Sequence, residues 1–144
     1  MKTRRGATRD LLGAVYAILN VSAFTSVATG GLHHGQAPQK TPFPYGVLQA
    51  PSGAPGVQSM GNPGEEVRFQ LRAVSSARDY AEALAIIDVA KQLLDGERPT
   101  VANHLVLRLW WTGDQPPYAD PELVNGVPLW HAVAEWCALV DQVS

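Results

Sequence analysis

A chain of 144 residues fits one domain, which at that size buries about 68–70% of the surface its unfolded form exposes. Hydrophobic residues make up 46% and charged residues 17%, the composition of a globular protein lean in charge, as expected where partners cover part of the surface. A net charge of -2 argues against a dedicated nucleic-acid binder, and a single cysteine, Cys137, excludes an internal disulfide and fits a reducing compartment.

The opening "MKTRRGATRD" followed by "LLGAVYAILNVSAFTSVA" has the outline of a secretory signal, a basic segment before an apolar one. Asp10 at the boundary and Gly13, Asn20, Ser22, Thr25 and Ser26 within the run favour a helix instead, and the same polar residues argue against a membrane span. Leu11, Leu12, Val15, Ile18 and Leu19 recur at helical spacing, which predicts an amphipathic helix over residues 7–19. Asn20 breaks it, and "VSAFTSVATGG" holds a further turn or two before Gly30 and Gly31 end it, giving a helix in two parts.

His33 and His34 follow in what reads as loop; being adjacent, they point to opposite sides of an extended chain and cannot chelate one metal together. Pro42 and Pro44 cannot donate ladder hydrogen bonds, so they introduce the strand "YGVLQA" at a sheet edge or strand start, with Tyr45 as its anchor. Residues 51–63, rich in Pro, Gly and Ser, read as a long mobile hairpin loop. "EEVRFQLRAV" alternates with period two, Val67, Phe69, Leu71 and Ala73 on one face and Glu66, Arg68, Gln70 and Arg72 on the other. Ser76, with Asp79 three residues on, predicts the cap of a second helix whose stripe Tyr80, Ala83, Leu84, Ile87, Ala90 and Leu94 meets the core; Gly96 and Pro99 stop it.

Two further strands, "VANHLVLRLWW" and "PLWHAVAEWCALV", flank a Pro- and Asp-rich loop over residues 112–127. In the last strand Trp130, Ala132, Ala134, Trp136, Ala138 and Val140 form an apolar core face, and Leu129, His131, Val133, Glu135, Cys137 and Leu139 a mixed one. The order of elements predicts a single α+β domain over residues 1–144: an antiparallel sheet of about four strands with two main helices packed on one face.

The chain carries no phosphate-loop, dinucleotide, nucleophile-elbow or zinc-protease motif. His131 and Cys137 share a face but lie six residues apart, about 20 Å in a strand, beyond reach of a thiolate–imidazole pair. His104 has no ligand-spaced neighbour, and Asp114, Asp120 and Glu122 lack the regular alternation of a calcium loop. Neither enzyme, metal nor cofactor is expected. The second sheet face, with Glu66, Arg68, Gln70 and Arg72, then His104, Val106, Arg108 and Trp110, then His131, Val133, Glu135 and Leu139, mixes apolar and charged positions. It reads as a subunit interface, where aromatics and Arg are enriched, or as a solvated face laced with salt bridges.

Three stretches carry a resemblance: the helix ending in a glycine turn, "GQAPQKTPFPYGVLQ", and "EEVRFQLRAVSSARDYAEALAIIDVAKQLLDG" with its aromatic followed by Glu-Ala. They resemble the tail-completion, or tail-terminator, proteins of long-tailed bacteriophages and phage-like particles, over most of the chain. Gly46, where a branched residue is usual in that family, and the Pro-rich stretch near Asp114 depart from the pattern. The resemblance implies an α+β virion subunit that closes into a six-fold ring on the end of the tail tube, stops tube polymerisation and meets the connector or stopper of the head. DNA would cross the lumen without sequence-specific binding. Another neck component, a head-completion or stopper protein, is the alternative, and a small α+β ligand-binding domain a more distant one. Pro42, Pro44, Tyr45, Arg68, Arg72, Arg108, His131 and Glu135 are the residues expected at subunit or partner contacts, and the loop 51–63 is expected to reach a neighbour.

Overall fold

The computed structural model describes residues 8–50, 65–101, 104–124 and 126–142. The loop expected over 51–63 lies outside these. In chain order the elements are α1 (Thr8–Leu19), α2 (Ser22–Thr25), β1 (Leu32–His34), β2 (Tyr45–Gln49), β3 (Glu65–Ser75), α3 (Ala81–Leu94), β4 (His104–Val124) and β5 (Val127–Gln142). The class is α+β, with one five-stranded sheet in the order β1-β2-β3-β5-β4. All neighbours pair antiparallel except β1 and β2, which are parallel, so the sheet is mixed rather than purely antiparallel. The strand not foreseen is β1: three residues, "LHH", are too short to show a period, and they order by pairing His33 with Val47 and His34 with Leu48. This places β2 one strand in from the edge.

The two-part first helix forms as its spacing dictates: Leu11, Val15 and Leu19 are fully buried on α1, and Phe24 on α2. The α3 stripe buries Ala83, Ile86, Ile87, Ala90 and Leu94, while Tyr80 falls outside it, about half exposed and edge-on to Trp130 at 5.5 Å. Its entry is held by other residues than the predicted Ser76. The Asp79 carboxylate accepts from the Ala81 amide at 2.9 Å, and the Ser75 hydroxyl accepts from the Ala77 amide and donates to Glu82 at 2.6 Å. The first satisfies one of the donors that a helix start leaves unpaired, and the Ser75 contacts tie the preceding turn to the first turn of α3.

The helices share one side of the sheet with the core, where Val67, Phe69, Leu71 and Ala73 of β3 meet Ala132, Ala134, Trp136, Ala138 and Val140 of β5. Phe69 and Trp136 stack across the strands at 5.7 Å with nearly parallel rings. The sequence places Gly46 where a side chain is usual, yet β2 runs regularly through it: a Cβ there would sit 2.9 Å from Phe24 Cζ and 3.4 Å from Leu71 Cδ1. The ring of Phe24 fills the space that a branched residue would otherwise occupy.

The segment 112–127, expected as a loop, is largely ladder. Strand β4 continues through it to Leu123 paired with Pro128 and Val124 with Val127, with register irregularities after Val106, Trp111, Gln115 and Ala119. Each adds residues to β4 alone, the signature of bulges that bend and twist a strand. The first resets the faces. Leu107 is the extra residue, so Val106 pairs with Val140 in the core and His104 is buried on that same side, not on the mixed face; Arg108 and Trp110 lie on the mixed face opposite Leu139 and Cys137.

Candidate assembly surface

No described helix packs on the other side of the sheet, and its register arranges the residues in rows across the strands. Tyr45, Val74, His131 and Tyr118 form the first row, and Val47, Arg72, Val133 and Gln115 the second. Gln49, Gln70, Glu135 and Gly113 form the third, followed by Arg68, Cys137 and Trp110, then Glu66, Leu139 and Arg108. Of the residues expected at contacts, Tyr45, Arg68, Arg72, Arg108, His131 and Glu135 are thus brought onto one surface. Pro42 and Pro44 stand apart from it in the connection leading to β2, where the Pro44 carbonyl accepts from the Gly30 amide at 2.8 Å.

The third row is a polar ladder. Gln49 donates to Gln70 at 3.4 Å and Gln70 to Glu135 at 3.2 Å, while Thr112 donates to the Glu135 carbonyl at 3.1 Å. Aromatic pairs brace both flanks: Tyr45 stacks on Phe43 at 5.5 Å and meets the edge of His33, and Tyr118 stacks on His131 at 4.8 Å. Arg108 lies over the Trp110 ring at 4.8 Å. Such cation–π contacts keep the guanidinium's remaining donors available to a partner. Between these long side chains Val47, Val74, Val133 and Cys137 are buried, whereas Arg68 and Arg108 are exposed.

Burial leaves polar groups here short of partners. Neither His131 ring nitrogen nor Arg72 Nε has a hydrogen bond among the described residues, although His131 Nε2 lies 3.5 Å from the Asp120 carboxylate. Burial, and next the nearby Arg72 guanidinium, hold the His131 imidazole below its ordinary pKa, with Asp120 opposing. Burial and then Glu66 push the Cys137 thiol up, against the pull of Arg68. A thiol so placed is a small buried side chain rather than a nucleophile. No three His, Cys, Asp or Glu side chains among the described residues gather as a metal site, and no described helix is long and apolar enough to cross a membrane.

A second group of residues escaped the sequence reading. On the helix side of β4, Trp111 is half exposed, and its indole N–H donates to Asp114 at 2.9 Å. Lys91 of α3 pairs with the same carboxylate at 2.7 Å and lies 4.4 Å above the indole ring. The one signal for it in the sequence, the run Trp111–Thr112–Gly113–Asp114, carries no information about Lys91 until α3 is docked.

Residues 13–125 match the family described as tail completion protein gp17. Among solved structures, a chain from a structure titled "Virion of native gene transfer agent (GTA) particle" superposes with a TM-score of 0.79 at 15% identity, covering 95% of this chain and 98% of that one. No curated protein matches in sequence. With most of its length inside the family, the chain belongs to the tail completion proteins and is a structural component of the virion tail.

Proposed function

We propose that this subunit closes into a ring of six at the head-proximal end of the tail tube, where it ends tube polymerisation and joins the tail to the head. Membership of the tail completion family carries the proposal, and the helix-free sheet face supports it. That face presents exposed Arg68 and Arg108, a polar ladder and braced aromatics, the kinds of residue enriched where proteins meet. Its partners are further copies of itself, the tube protein and the head connector or stopper, and DNA passes through the lumen without being read.

Termination is a steric act: one side of the ring matches the last tube ring, and the other offers nothing on which tube subunits can add. Heterologous contacts that close leave no free end to propagate. The test is to assemble tails with and without the chain and measure tube lengths by electron microscopy. Tubes of one length with the chain and overlong tubes without it are expected; identical length distributions would overturn the terminating role.

A further inference from the structure

We infer that neighbouring copies in the ring join through a knob and groove set on opposite edges of the sheet: Trp111 of one copy seats against Leu12 and Gly13 of the next. The inference rests on the ring reading for the existence of the contact, and on the following geometry for its place.

The knob is built. Trp111 is 48% exposed, yet its ring is fixed on one side by the Lys91 ammonium and at its nitrogen by Asp114, which Lys91 also holds. An exposed indole already held in one orientation loses little freedom on docking, which is the property of an interface anchor.

The groove lies at the far edge. Thr8, Arg9, Leu12, Gly13 and His34 line a shallow depression of about 590 Å³ where α1 passes over β1. Gly13 opens it: a Cβ at that position would meet nothing within 4 Å among the described residues. His34, though exposed, is held as its wall by stacking on Tyr16 at 4.5 Å. A glycine inside a helix is unfavourable relative to alanine, and among the described residues neither a turn nor crowding requires this one.

The two features complement each other in charge. Lys91 compensates Asp114 in the knob, which leaves Asp95 in the cleft beside Trp111 as its acidic group; Arg9 is the cation of the groove. They also complement each other in position. Because β1 and β4 are the two outer strands, roughly 19 Å apart at the usual strand spacing, one copy cannot satisfy its own groove with its own indole. Complementary patches on opposite edges give a head-to-tail contact, which closes into a ring when the rotation permits.

The test uses the full chain. Gly13→Leu fills the groove from a site where added atoms meet open space, and Trp111→Ala removes the knob. Each is expected to weaken association at least tenfold, read by light scattering over a concentration series, with circular dichroism unchanged. In a Cys137→Ser background, copies carrying Gly13→Cys mixed with copies carrying Thr112→Cys are expected to be joined by a short bifunctional maleimide; neither variant alone should give that product. If the wild-type chain assembles but the two knob-and-groove variants assemble as well as it does and no 13-to-112 cross-link forms, this contact is overturned and the ring stands. A wild-type chain that stays monomeric with no cross-link overturns the contact too, and the tube-length experiment then decides the ring independently.

Discussion

Gly46 and His131 show how single positions are decided by rings belonging to other elements. Phe24 stands where a side chain on Gly46 would go, so Gly46→Ala overpacks a fully buried site and is expected to cost about 1–3 kcal/mol. In a Phe24→Leu background the added methyl should be better tolerated, and urea denaturation of the four combinations measures the coupling; strictly additive effects would show that the ring and the glycine are not matched. For His131 the sign follows from its depressed pKa. The folded chain favours the neutral imidazole, while the unfolded chain takes up a proton as pH falls through about 6.5. The unfolded state then binds more protons, so stability is lost below that pH and levels off beneath the folded pKa. His131→Phe keeps a ring against Tyr118 and should flatten the fall in Tm between about pH 7 and about pH 5; an unchanged slope would assign it to other groups.

At the scale of elements, period-two alternation in β3 and the apolar stripe of α3 were legible because both are regular runs with nothing inserted. Two elements were not fully so. Strand β1 owes its existence to pairing with β2, which three residues cannot announce. Strand β4 is legible as far as Trp111, but its faces are right only after the first bulge: alternation assumes one residue per step, and the extra Leu107 moves His104 and Val106 to the core side while leaving Arg108 and Trp110 on the mixed face. Prolines and Asp then masked its continuation, and with it Tyr118 and the clamp around Trp111. The mixed face itself is readable from β3 and β5, whose regular alternation alone sets Arg68, Arg72, His131 and Glu135 on one side of the sheet. Reversing charge at Arg68 or Arg72 is expected to weaken assembly while thermal melting shows a folded subunit; full assembly of both variants would remove this face from the contacts. The Phe69–Trp136 stack that joins the two strands belongs to stability instead, and Trp136→Ala should cost about 3–5 kcal/mol by denaturant titration.

For the whole molecule, the division of surfaces is clear: helices and core on one side of the sheet, a laddered and charged face on the other, and two unlike outer edges. If six copies close a ring, light scattering should find a species of roughly six times the monomer mass, independent of further increases in concentration once saturated. An open series of masses rising with concentration would contradict closure. The bulges gathered in β4 bear on the fate of chains not yet seated in a particle. An outer strand of 21 residues would ordinarily be a template for main-chain pairing with any stray strand. Here Pro116, Pro117 and Pro121 withhold amide donors and four breaks of register spoil the spacing of the rest. A pool of waiting subunits is thereby guarded against fibril growth, and its recruitment is left to side chains that recognise a particular seat.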